Sequence, residues 1–267
     1  MTWGKKRFWG EGWGNGRPAG GPLMWTNDGT SNKAMPANIA EAAALLSVAG
    51  ANGNTIGLYH FGAPASGNVS DSSGNGKTLT ASGTWAYQQT VSGWVAKSIK
   101  STAGTSAQLI DNTLANVNAQ SYTLYLWAHV SVITTIRTIM HLGDVFDDSL
   151  SAQTIAAPPR LSLGNGFNNA RVNGTSDPTA APRPFVLSGA AGVDITAGVK
   201  CLLCTDQEAI ASGVFAANGT ELMFGGNGTD SWQPSTTDYL FGMLVDSAHS
   251  ATTIKSVLQT AGWTIPW

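Results

Sequence analysis

The 267-residue chain carries only 11% charged residues and a formal charge of -2, where an average soluble domain has about 25% charged residues. Its 32 glycines and 11 prolines, with abundant Asn, Ser and Thr, exclude a Glu/Lys/Leu-rich helical bundle and favour short strands joined by many turns. The near-neutral charge gives no global reason to expect nucleic acid or an acidic membrane as partner.

Residues 1–33 read as an extended arm. Trp3, Phe8, Trp9, Trp13 and Trp25 alternate with glycines and polar residues without the period of a helix or a strand. Four of the ten tryptophans lie here, a large apolar load for a segment that cannot fold alone. Such side chains anchor onto something else, either this chain's own body or a neighbouring subunit. Residues 1–26 carry Lys5, Lys6, Arg7 and Arg17 against Glu11, so the arm is mildly basic and the remainder acidic. Cations interleaved with aromatics are also a single-stranded nucleic-acid pattern, but the charge is small and the acidic body opposes it, so no nucleic acid is expected. No apolar segment follows the basic residues, so no secretory signal is visible, and no apolar run reaches the ~20 residues that span a bilayer.

Residues 34–53 read as a short helix and linker. Met35 to Ala49 is Ala-rich, with Pro36 suited to a first turn, Gly50 as the stop, and Ile39, Leu45, Leu46 and Val48 forming one buried side. From residue 54 to 267 the pattern is β. Asp71, Gly74, Asn75 and Gly76 suit a tight turn, because Gly and Asn tolerate positive φ and Asp accepts backbone N–H bonds. Tyr122 to Val132 is the clearest strand, with Tyr125, Trp127 and His129 sharing one face. That row either stacks on a sugar ring or lies under a covering segment. Further strands are expected near 92–99, 106–111, 136–142, 160–164, 169–173, 184–188, 198–205, 220–225 and 238–245. A closing helix follows over 250–260, with Ser250 as N-cap and Gly262 after it. Cys201 and Cys204 lie three apart on a strand and face opposite ways, which disfavours a mutual disulfide.

The run IGLYHFGAPASGNVSDSSGNGKTLT (Ile56 to Thr80) resembles the opening of laminin-G-like, concanavalin A-type β-sandwich modules. SYTLYLW (Ser121 to Trp127), ELMFGG (Glu221 to Gly226) and YLFGMLVDSAHSATTIKSVL (Tyr239 to Leu258) resemble later strands of the same family, in order. The resemblance spans roughly 56–265, about four fifths of the chain. It implies an all-β, antiparallel concanavalin A-like jelly roll with an extended arm and one or two short helices. Where the family has a strand ending in YVNG, residues 199–212 depart from the pattern. Some relatives place a calcium ligand at the position of Asp71, and Asp246 is a second oxygen source. Calcium wants six to eight oxygens, so no cofactor is expected beyond a possible calcium, and a turn-stabilising Asp71 is the simpler reading.

The enzymatic relatives with this sandwich use two glutamates flanking an aspartate on one strand, with carboxylates about 5–10 Å apart. Here Glu11, Glu41, Glu208 and Glu221 are the only glutamates and no two share a strand. The four histidines, at 60, 129, 141 and 249, show no metal spacing, and no Gly-x-Ser-x-Gly elbow is present. The sequence therefore reads as no enzyme. In layout, a low-charge sandwich with an attachment arm is similar to phage decoration proteins, head fibres and tail adhesins. That likeness implies a virion component made in the host cytoplasm, anchored to other virion proteins or to copies of itself by the arm, and contacting surface glycans. A free calcium-dependent laminin-G-like lectin is the alternative, and a divergent glycoside hydrolase the third.

Overall fold

The computed structural model describes residues 24–26, 32–91, 97–115, 120–132, 137–143, 150–156, 159–165, 172–173, 183–189, 199–203, 207–211, 219–226 and 236–263. In chain order the elements are β1 (Met24–Thr26), β2 (Asn32–Ala34), α1 (Ile39–Val48), β3 (Thr55–His60), β4 (Thr80–Gly83), β5 (Ala86–Thr90), β6 (Lys97–Ser101), β7 (Ala107–Asp111) and β8 (Tyr122–Val132). They continue as β9 (Arg137–Leu142), β10 (Leu150–Ala156), β11 (Pro159–Asn165), β12 (Val172–Asn173), β13 (Arg183–Gly189), β14 (Val199–Leu203), β15 (Gln207–Ala211), β16 (Leu222–Gly226), β17 (Thr236–Val245) and α2 (Ala251–Thr260).

Two antiparallel sheets form the sandwich. One runs β12-β11-β10-β9-β16-β7-β4, and the other runs β15-β14-β13-β8-β17-β6-β5, with β3 also paired to β17. A register shift between Tyr239 and Phe241 lets β17 pair with β6 along Thr237 to Tyr239 and with β3 from Phe241 onward. The period-2 pattern of β8 sends Leu124, Leu126, Ala128 and Val130 into the space between the sheets. There they meet Leu109, Met140, Leu142, Leu222, Phe224, Phe185 and Leu187. Tyr59, Phe61, Phe224 and Tyr239 pack as an aromatic cluster, with Phe61 and Phe224 edge to face at 5.0 Å.

A third layer lies outside the eight-stranded sheet. Ala42, Leu45 and Leu46 of α1, with Ile254, Val257 and Leu258 of α2, bury against Leu58, Tyr125, Trp127, Phe241 and Met243. Asn38 caps α1 by accepting from the Glu41 N–H at 3.1 Å, and the Glu41 carboxylate accepts from the Ala37 N–H at 2.9 Å. This reciprocal cap starts the helix after Asn38, so Pro36 precedes the first turn instead of occupying it. The expected buried side of α1 is also corrected. Leu45 and Leu46 face inward as expected, but Ile39 and Val48 point to solvent at 42% and 52% exposure, because it is Ala42 that shares a face with the leucines. Ser250 caps α2 by accepting from the Thr253 N–H at 3.2 Å, as the sequence predicts.

Most expected strands form within a few residues of their predicted places. The departure from the family pattern after residue 199 is a tight hairpin, β14 paired with β15 from Leu203 opposite Gln207 to Val199 opposite Ala211. The last part of the predicted arm is a two-stranded hairpin, with Met24 opposite Ala34. Residues 1–23, which include Trp3, Phe8, Trp9 and Trp13, lie outside the described residues, as does the acidic loop of Asp144, Asp147 and Asp148.

Candidate functional site

The sandwich has two outer faces, and they differ in chemistry. On the eight-stranded sheet the outer face is sealed over β3, β8 and β17 where the helices lie. Tyr125 and Trp127 have no exposed surface, because α1 and α2 lie across them. Trp127 packs edge to face on Phe241 at 5.1 Å, and Tyr125 bonds His249 Nδ1 through its hydroxyl at 2.7 Å. Of the two readings of the Tyr125, Trp127, His129 row, a sugar platform or a row under a covering segment, the second holds for Tyr125 and Trp127, so their candidate ligand-binding role is corrected to a structural one. Neither ring offers a face to a ligand. His129 is half-buried, in register with Asp238, whose carboxylate accepts from Ser98 Oγ at 2.9 Å and lies 3.5 Å from Lys100 Nζ.

The seal is reinforced by a buried polar network. The His249 N–H donates to Thr123 Oγ1 and Ser188 Oγ at 2.9 and 3.0 Å, and Ser188 Oγ donates to the His249 carbonyl at 3.0 Å. His249 Nε2 lies 2.7 Å from the Asn52 carbonyl, so the ring is the neutral tautomer with its proton on Nε2 and Nδ1 accepting from Tyr125. Burial pushes the His249 pKa below its ordinary value, in keeping with that neutral form. These bonds pin the segment entering α2 onto the sheet.

The outer face of the seven-stranded sheet carries a polar row. Thr80 pairs with Ile110, Ile110 with Met223, and Met223 with His141. This set alternates with Leu109, Leu222, Phe224 and Leu142, which face the core. On the next row Ser82 Oγ donates to Gln108 Oε1 at 3.2 Å, and Gln108 Nε2 donates to Met223 Sδ at 3.3 Å. Glu221, just before β16, is anchored through its carbonyl, which accepts from the Gly143 N–H at 2.8 Å. Its carboxylate lies 3.9 Å from His141 Nε2. Thr80 and Ser82 are exposed, Gln108, Ile110 and Glu221 are half-buried, and Met223 and His141 are fully buried. The face thus passes from an open polar shelf at β4 and β7 to closed positions at β16 and β9, with Gln108 beside Gly225 at one end of β16 and Glu221 just before its other end.

The two aspartates considered for calcium hold hydrogen bonds within the fold. Asp71 Oδ1 accepts from the N–H groups of Leu58 and Ser73 at 2.9 and 2.8 Å. Its Oδ2 accepts from Ser73 Oγ and the Lys77 N–H at 2.7 and 3.1 Å. Four donors converge on this carboxylate and tie the Gly-rich turn to β3. Asp246 is bonded instead to Asn54, through the backbone N–H and the side-chain amide. Among the described residues, no group of three or more His, Cys, Asp or Glu is arranged to hold a metal ion. Asp71 and Asp111 also lie near the Tyr59 hydroxyl. Its pKa is raised first by burial and then by these two carboxylates.

No protein-family model matches the sequence, and no curated protein matches it. Solved structures do match in fold. The binding domain of botulinum neurotoxin DC in complex with SialylT aligns with 79% of this chain and 52% of its own, at a TM-score of 0.52 and 10% identity. Trypanosoma rangeli sialidase aligns with 79% of this chain and 34% of its own, at a TM-score of 0.55 and 13% identity. Domain 4 of AbnA, an extracellular arabinanase from Geobacillus stearothermophilus in complex with arabinotriose, is covered over 99% of its length by 78% of this chain, at a TM-score of 0.51 and 17% identity. The chain thus spans about half of the neurotoxin binding domain and a third of the sialidase. At these identities the likeness establishes the fold, an all-β, antiparallel, concanavalin A-like sandwich.

The comparison corrects the reading of the chain as no enzyme. Chains sharing this sandwich include the sialidase and, at a TM-score of 0.50 and 12% identity, a GH54 α-L-arabinofuranosidase aligned over 92% of this chain and 60% of its own. Lack of two glutamates on one strand therefore does not set the chain apart from enzymes. Side chains from separate strands meet across the sheet, as His141 and Glu221 do. That pairing is set by strand register, which no local motif in the sequence reports. No helix among the described residues is long and apolar enough to cross a membrane.

Proposed function

We propose that this chain is a glycan-recognising β-sandwich and that the outer face of the seven-stranded sheet is its recognition surface. One observation carries the reading: over β3, β8 and β17 the outer face of one sheet is covered by helices, whereas at β4 and β7 the outer face of the other presents Thr80, Ser82 and half-buried Gln108, with half-buried Glu221 just before β16. Gln108 and Glu221 engage sugar hydroxyls, and Ile110 supplies apolar surface beside them. Proteins of this fold solved with SialylT and with arabinotriose lend support by analogy. The low charge, the Asn/Ser/Thr/Gly-rich composition and the aromatic first 33 residues favour a phage-type virion component. There the arm (Trp3, Phe8, Trp9, Trp13, Trp25) attaches the sandwich to the particle or to a neighbouring copy.

A glycan array probed with the full chain tests recognition. Binding to a defined sugar class is expected, weakened at least about tenfold, or ~1.4 kcal/mol, by Glu221→Gln with Gln108→Ala. Binding that survives both substitutions unchanged would move the site elsewhere. The His141–Glu221 pair favours a second reading, hydrolysis of the bound glycan with Glu221 as the acid or base. Reducing sugar released by the parent chain and not by Glu221→Gln would establish it.

A further inference from the structure

Two Asn-Gly pairs lie wholly among the described residues, Asn52-Gly53 in the linker from α1 to β3 and Asn75-Gly76 in the Gly-rich turn. An asparagine before a glycine is chemically exposed, because glycine has no side chain to hinder the approach of its nitrogen to the asparagine carboxamide. Both asparagines face solvent, so exposure does not separate them. Hydrogen bonding does. Asn75 Nδ2 donates to the Thr55 carbonyl at 3.2 Å and to Ser73 Oγ at 3.0 Å, which ties its carboxamide down. The Asn52 carboxamide and the Gly53 N–H have no hydrogen bond among the described residues. Around them the linker is fastened at other atoms. The Asn52 carbonyl lies 2.7 Å from His249 Nε2, and Asn54 donates through its N–H and its side chain to Asp246. Gly53, at a φ of +92°, lies against Val245 and Ser247, where a Cβ would collide with both side chains.

We propose that Asn52 is a site of spontaneous covalent modification, deamidation through a cyclic imide, and that its isoaspartyl product undoes the clasp between this linker and the segment entering α2. The Gly53 nitrogen attacks Asn52 Cγ and forms a C–N bond. The bond from Cγ to the amide nitrogen breaks, and that nitrogen leaves as ammonia with the proton lost by Gly53. Water then opens the imide. Attack at Cγ gives aspartate on an unchanged main chain. Attack at the main-chain carbonyl carbon gives isoaspartate, in which the chain runs through Cβ and Cγ and the former carbonyl is a free carboxylate. That carbonyl is the acceptor of His249 Nε2–H. The isoaspartyl form therefore lengthens the linker by one methylene and sets a second carboxylate near Asp246, whose Oδ1 lies 3.1 Å from where a Gly53 Cβ would stand. Like charges so close repel, and the linker loosens. This goes beyond the glycan reading and does not depend on it, since the linker and the Gln108 shelf belong to different layers.

Site-resolved peptide mass spectrometry tests the chemistry on the full chain held at mildly alkaline pH and physiological temperature. Conversion at Asn52 is expected to run at least about tenfold faster than at Asn75. In concentrated urea, where the bonds of Asn75 are gone, the two sites should convert at similar rates. Equal rates in the folded chain, or faster conversion at Asn75, would overturn the assignment. So would the same preference for Asn52 in urea, which would trace it to local sequence and not to the fold. Amide hydrogen exchange reads the consequence, with Asn52→Ser as the reference, since serine keeps the main-chain carbonyl for His249 and removes the carboxamide. The Asn54 and His249 amides should exchange faster in the aged isoaspartyl fraction than in Asn52→Ser aged alike. Equal exchange would show that the clasp survives the modification and would overturn that part of the proposal.

Discussion

His60 gives the sharpest test of the layered packing. It sits at the end of β3 with 8% of its surface exposed, its ring 5.2 Å from that of Phe241. Burial depresses its pKa from 6.5 to about 4, partly opposed by the nearby Pro36 carbonyl. A histidine whose folded pKa is depressed binds more protons unfolded than folded between those two values, so stability falls as pH drops from 6.5 toward 4. One pKa unit corresponds to 1.36 kcal/mol, and moving from pH 7 to pH 4.5 costs about 2.5 kcal/mol through this group. For a chain of this size that is roughly 5 to 10 °C in melting temperature. His60→Phe keeps the ring on Phe241 and removes the titration. Thermal unfolding of both proteins at pH 7 and pH 4.5 isolates the effect, since His249 stays in both. The parent should lose about 2.5 kcal/mol more than the variant over that interval. Equal losses would mean that the segment around Met35 and Pro36 does not keep water from His60.

Three further outcomes follow from the packing. Asp71→Ala strands the donors of Leu58, Ser73 and Lys77 and should cost about 2 to 4 kcal/mol in urea unfolding, with chelator changing neither protein; a chelator-sensitive parent would instead show that the turn holds calcium. Gly225→Ala should leave little folded protein by circular dichroism, because a Cβ there would collide with the Ala107 carbonyl at a φ of +86°; a soluble variant within 1 kcal/mol of the parent would refute the close approach of β16 to β7. Trp127→Ala should cost roughly 3 to 5 kcal/mol and leave glycan affinity unchanged; intact stability with lost affinity would return Trp127 to the binding surface.

Much of the fold is legible locally, because local chemistry decides it. Alternation marks β8, Ser250 marks the start of α2, and the Asp-Ser-Ser-Gly-Asn-Gly run marks a turn whose carboxylate caps its own backbone. Where a residue is covered from across the chain, the sequence leaves the outcome open. Tyr125, Trp127 and His129 look like an aromatic platform, since alternation tells which side chains share a face and nothing about what lies over it. The cover comes from α1 and α2, more than 70 residues away in one direction and more than 120 in the other. In α1, every position is apolar or small from Ala42 to Leu46, so the period gives no orientation and Ile39 and Val48 were free to fall outward. The His141–Glu221 approach is invisible for the same reason: β9 supplies one side chain and the residue before β16 the other, and only the register of β9 with β16 brings them within 3.9 Å.

In the proposed function the sandwich recognises glycans on the outer face of its seven-stranded sheet and not at the residues beneath α1 and α2. Titration calorimetry with the glycan selected by the array, comparing Glu221→Gln/Gln108→Ala with Trp127→Phe, tests it most directly. At least about tenfold weaker binding is expected for the first protein and parental affinity for the second. Parental affinity for the first and weakened binding for the second would contradict it.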